Sequence, residues 1–107
     1  PRLLLLDEPT SALDLHHQLQ VLDWLSRLAA ERNIAVVIAM HDLSMVARFS
    51  QHIWVISDGR SVTSGAPRNV LTQAMLREVY AIDAHVAWPS DGPASVTPLA
   101  AIRRLGG

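Results

Sequence analysis

The chain has no cysteine among its 107 residues, which excludes disulfide staples and thiolate metal centres and fits a cytoplasmic protein. No apolar run approaches the roughly 20 residues that cross a bilayer as a helix, so any service to a membrane comes from outside it. Neither sign of charge dominates. A formal net charge of −1 and a pI near 6.6 give no sign of a surface for nucleic acid or anionic lipid. Internal repeats and low-complexity tracts are absent as well. Pro1-Arg2 leads straight into a four-residue apolar stretch, unlike the regions of a secretory leader. What the chain does have is apolar bulk: half of it is hydrophobic, and mean hydropathy is +0.20. A chain this short buries only about two-thirds of its unfolded surface, so that richness predicts a small domain or part of a larger one.

The densest signal is Leu3-Leu4-Leu5-Leu6-Asp7-Glu8-Pro9-Thr10-Ser11-Ala12-Leu13-Asp14. Four leucines predict a short strand buried on both faces. Two carboxylates follow where that strand would leave its sheet, and an acidic pair buried without a partner is expensive. Such a pair suits a cation or a reacting water. For Asp7-Glu8 alone, a solvated turn explains as much, with Asp14 an ordinary helix N-cap. A second signal is Ile34-Ala-Val-Val-Ile-Ala-Met40, a β-branched run read as a buried parallel strand, which ends at His41-Asp42, 33 residues beyond Glu8. A lone histidine at a strand end is commonly structural; its order and spacing relative to the acidic pair point to chemistry instead.

Between these strands the period turns helical. Leu15, Leu19, Leu22, Leu25 and Ala29 recur at three- and four-residue steps, with Asp14 as N-cap and Asn33 as C-terminal stop. Trp24 falls away from that stripe. Leu43–Ser50 reads as a short helix and Ile53–Ile56 as a third strand, and Asp58-Gly59 turns into a hairpin over Ser61–Ser64. A βαβαβ unit with right-handed crossovers follows. Beyond Gly65-Ala66-Pro67, Val70–Ala81 reads as one amphipathic helix through Val70, Leu71, Met75, Leu76, Val79 and Tyr80. Asp83–Trp88 and Ser95–Thr97 read as two antiparallel strands around Pro89-Ser-Asp-Gly-Pro93, and Arg103–Gly107 is expected to fray. His16 and His17 do not form a metal site, because adjacent helical residues point about 100° apart.

The run from Leu3 to Asp14 resembles the Walker B segment and D-loop of ATP-binding-cassette (ABC) ATPases, and His41 stands where that family carries its switch histidine. The resemblance implies an α/β fold: a partial P-loop NTPase (RecA-like) three-layer architecture with mainly parallel strands. Residues 1–65 would form the C-terminal part of the nucleotide-binding domain, and 66–107 a helix plus β-hairpin extension. It implies that Asp7 orients Mg²⁺ through its water shell, that Glu8 accepts a proton from or orients the attacking water, and that His41 meets the γ-phosphate of ATP. Ser11, Ala12, Leu13 and Asp14 would be the D-loop at a dimer interface, with Asp42 fixing local geometry beside His41. The implied partners are a second ATPase subunit in a homodimer, transmembrane permease subunits and, indirectly, a substrate-binding protein, with no nucleic acid. The implied location is cytoplasmic, peripheral on the inner face of the cell membrane.

Leu76-Arg-Glu-Val-Tyr-Ala-Ile-Asp-Ala84, then Val96-Thr-Pro98, is similar to the ends of iron–siderophore, haem and cobalamin importer ATPases, as is Leu15-His16-His17-Gln18 after the D-loop. Ala81 stands where a glycine is usual in that group, and Gln51 where an acidic residue is common. No G-x-x-x-x-G-K-[ST] loop occurs, and in the family that loop, the glutamine loop and the signature motif precede Walker B. The chain begins inside a motif without an initiator Met, which predicts the C-terminal portion of a longer sequence. The resemblance also implies a phosphate-loop strand between the Walker B and switch-histidine strands. A chain lacking that strand and that loop is expected to be inactive alone, and poorly stable or prone to pair its open edges. Two other classes stay open: a DNA-repair or chromosome ATPase sharing Walker B and D-loop, and a non-enzymatic remnant.

Overall fold

A computed structural model describes residues 2–102; the 103–107 segment expected to fray lies outside the described residues. The chain divides between His41 and Asp42 into two compact units.

The first unit is a βαβ turn: β1 (Arg2–Asp7), α1 (Leu15–Arg32) and β2 (Ile34–Ala39). Both expected ends of α1 form as read. Asp14 accepts the His17 N–H, and Asn33 closes the helix in the left-handed region at φ 53°, a conformation asparagine tolerates better than most residues. Leu22 and Leu25 are buried, whereas Leu15, assigned to the core stripe from its spacing, is 63% exposed. It sits at the first helical position, ahead of the turns that meet β2.

β1 and β2 pair in parallel from Arg2 opposite Ile34 to Asp7 opposite Ala39. Six consecutive ladder pairs leave no place for a strand between them, which overturns the expectation of an intervening phosphate-loop strand. Nor are the strands buried on both faces. Leu4, Leu6, Val36 and Ile38 are half-buried, whereas Leu3 and Leu5 are 61% and 67% exposed and Val37 lies with them on the open face. One helix covers one face of a two-stranded sheet, and nothing among the described residues of this unit covers the other.

The second unit holds α2 (Leu43–Phe49), β3 (Ile53–Ser57), β4 (Arg60–Gly65), α3 (Pro67–Val70), α4 (Gln73–Tyr80), β5 (Ile82–Ala87) and β6 (Ser95–Ala101). Its core gathers Ile53, Val55, Leu71, Met75, Leu76 and Val96. Of the expected βαβαβ ladder only the first βαβ forms; β3 pairs with β4 alone. Asp58 and Gly59 take φ 52° and 73°, the paired positive values of the tight hairpin turn whose twist matches its strands. That local closure costs far less chain entropy than a distant pairing. β5 and β6 form the expected antiparallel pair, with β6 running on to Ala101. The Ser44 hydroxyl both accepts from Val96 N–H and donates to Val96 C=O, at 3.0 Å each, tying α2 to β6.

The single helix expected over Val70–Ala81 is in fact two. Thr72 interrupts it, because its hydroxyl accepts the Met75 N–H at 3.1 Å and so starts α4 afresh as an N-cap. Tyr80, assigned to the apolar stripe, is 45% exposed. α4 ends at Ala81 with φ 55°, a left-handed residue that carries a Cβ. That conformation costs an L-residue roughly 1–2 kcal/mol, and glycine gives part of the relief back as unfolded-chain entropy. Ala81→Gly is therefore expected to stabilise the fold by about 0.5–1 kcal/mol, read as a raised midpoint in urea denaturation; a lowered midpoint refutes this account of the cap.

Candidate active site

The site grows from the carboxyl ends of β1 and β2, where a parallel sheet presents its strand-end residues side by side. The ladder continues one step past β1: Glu8 N–H donates to Ala39 C=O at 2.9 Å. Glu8 then turns sharply, with φ 48°, into the left-handed region that a non-glycine residue enters at a cost. Ser11 N–H donates back to Glu8 C=O at 3.2 Å. These two bonds fix the backbone of Glu8 on both sides of the turn.

The turn separates the adjacent acids. Asp7 lies on the open face by strand alternation and is exposed, while the Glu8 side chain is only 28% exposed. His41, in the bend after β2, stands with Nε2 3.1 Å from Glu8 Oε1, its side chain 95% exposed. Residues 33 apart in sequence thus meet because their strands pair in register. An exposed pair of this kind contributes little to stability; its significance is positional. Asp42 accepts Met45 N–H at 3.1 Å as the N-cap of α2.

The Asp7 carboxylate has no hydrogen bond or ion pair among the described residues, its main chain being taken up in the ladder with β2. This carboxylate is a hard oxygen donor at a strand end, which suits a hydrated Mg²⁺ that keeps most of its waters. Among the described residues no three His, Cys, Asp or Glu side chains cluster as an all-protein metal cage. His16 and His17 meet edge to face with ring centroids 5.2 Å apart.

The loop after Glu8 runs over Ser11, Ala12 and Leu13 to Asp14, with Ser11, Ala12 and Asp14 exposed. Two contacts here escaped the sequence reading. His17 Nδ1 reaches Asp14 Oδ1 at 2.7 Å, and the Gln18 side-chain amide donates to Leu13 C=O at 3.0 Å and Thr10 C=O at 3.3 Å. The available signal was position: His17 lies three residues past the N-cap, where side chains commonly reach back.

No family model matches the chain. Among curated proteins it is 46% identical over 99 residues to the cobalamin import ATP-binding protein BtuD of Halobacterium salinarum, covering 90% of this chain and 24% of that protein. It is 43% identical over 86 residues to the hemin import ATP-binding protein HmuV of Plesiomonas shigelloides, covering 80% of this chain and 32% of that one. Among solved structures, an inward-facing metal-chelate type ABC transporter superposes on 92% of this chain and 40% of its own, with a TM-score of 0.80 and 31% identity. The chain is similar to one part of the ATP-binding subunits of ABC transporters. A second family structure, cbiO1 of Clostridium perfringens, matches 73% of the chain at a TM-score of 0.62 and 29% identity. The chain spans about a quarter to a third of the length of these two curated relatives. The α/β, P-loop NTPase class expected from the sequence agrees with both structural neighbours.

Proposed function

We propose that this chain is the Walker B to C-terminal portion of an ATPase subunit that drives an ABC importer for cobalamin, haem or an iron–siderophore. The contact between Glu8 and His41 carries the reading, because it joins a strand-end acid and a distant imidazole at one edge of the sheet. Bound Mg²⁺ would neutralise charge on the β- and γ-phosphate oxygens of ATP. Asp7 would hold that ion through water. Glu8 would orient the attacking water and accept its proton. His41, exposed and within reach of Glu8, would stabilise charge at the γ-phosphate. The loop Ser11–Asp14 would meet the second subunit of a homodimer. The subunit would sit in the cytoplasm against permease subunits on the inner face of the membrane, fed indirectly by a substrate-binding protein.

The 107 residues alone lack the phosphate-cradling loop and are read as inactive by themselves. The importer reading is favoured over a DNA-associated ATPase by its similarity to cobalamin and hemin import ATP-binding proteins and by the near-neutral charge. The test is to purify the intact subunit from its native host and assay it two ways. Co-purification with membrane permease subunits, and loss of cobalamin or haem uptake on deletion, is the expected result. ATP turnover stimulated by DNA, with no permease bound, defeats it.

A further inference from the structure

We infer that His17 and Gln18 are positioning residues that latch the loop Thr10–Asp14 in the shape it offers a second subunit; the inference rests on reading that loop as the D-loop. The latch is built on a single helical turn. Asp14 Oδ1 accepts twice from His17, from its N–H at 2.9 Å and from Nδ1 at 2.7 Å. An ionised carboxylate can only accept, so Nδ1 carries the proton in this contact. The Gln18 amide spans the loop, donating to the carbonyl of Leu13 and to that of Thr10. Thr10 C=O also accepts Leu13 N–H at 3.1 Å, and Thr10 itself is buried.

Helix formation does not require this much. One bond from Asp14 to the His17 N–H completes the N-cap. The imidazole bond adds nothing to that cap except to remove the carboxylate's rotational freedom, and the His16 ring packed edge to face against His17 restricts it further. Gln18 likewise donates to carbonyls five and eight residues back, outside its own helix. The loop is held at Thr10, Leu13 and Asp14. Ser11 and Ala12 stay exposed, and Asp14 Oδ2 has no partner among the described residues. A short loop held at its ends with its middle exposed is arranged to meet another surface without reordering, which lowers the entropic cost of that contact.

The test uses the intact subunit with Gln18→Glu, which keeps the side chain's shape but sets a carboxylate against two carbonyl oxygens, with His17→Ala, and with Gln18→Lys, which restores a donor. Amide hydrogen exchange at Ser11 and Leu13 is expected to speed up about tenfold in the first two while α1 stays protected. With it, kcat is expected to fall about tenfold at unchanged KM for ATP, and Gln18→Lys to recover both. Unchanged exchange overturns the latch. So does faster exchange with kcat intact, or a raised KM in place of a lowered kcat. A parent subunit that turns over no ATP defeats the ATPase reading instead, and the exchange result then decides the latch by itself.

Discussion

Glu8→Gln in the intact subunit is expected to lower ATP turnover by about 10²–10⁴-fold, the usual contribution of a positioned general base, while ATP binding persists. The two side chains share size and hydrogen-bond reach, so the exchange removes a proton acceptor and little else. The main-chain bonds that shape the turn, from Glu8 N–H to Ala39 C=O and from Ser11 N–H to Glu8 C=O, do not involve the side chain. The contact 3.1 Å from His41 can be kept by an amide oxygen. The variant therefore separates chemistry from folding. Phosphate release measures the first, and equilibrium nucleotide binding with thermal denaturation measures the second. Turnover like the parent's would remove Glu8 from the reaction. Loss of binding together with turnover would make it a ligand of the nucleotide and not a base.

The features legible in the sequence were those set by neighbours a few residues away. Asp14 and Asn33 bound α1 because capping is decided within one turn. Asp58-Gly59 closes a hairpin because both residues tolerate positive φ. The meeting of Glu8 with His41 was within reach as well, since a βαβ unit brings consecutive strand ends together. What escaped depends on partners distant in sequence. Leu3 and Leu5 read as interior because apolar runs mark strands covered on both faces, yet in this unit α1 covers one face only. The direct β1–β2 ladder is a choice of pairing, which hydrophobic pattern alone does not encode. The break at Thr72 was visible in principle. A threonine can start a helix as readily as sit inside one, and here the core needed Leu71 and Met75 on either side of a bend. The bonds made by Gln18 could not be read from the sequence, because their acceptors are main-chain atoms, which carry no sequence signature.

His41→Ala is expected to slow turnover by about 10²–10³-fold, the loss seen when one group stabilising transition-state charge is removed. Its position makes the result easy to read. The imidazole is 95% exposed and lies in a bend outside both neighbouring elements, so truncating it leaves no cavity and opens no buried polar group. Thermal stability should match the parent's, in contrast to Asp42→Ala beside it, which deletes the N-cap of α2 and costs about 1 kcal/mol. The decisive measurement is the double variant, Glu8→Gln with His41→Ala. Residues that act on the same reacting group are strongly non-additive. If Glu8 and His41 work as a pair, the double variant should be little slower than the slower single one. Multiplied losses would mean that each side chain contributes independently, and that their contact in this structure is not the arrangement in which ATP is cleaved.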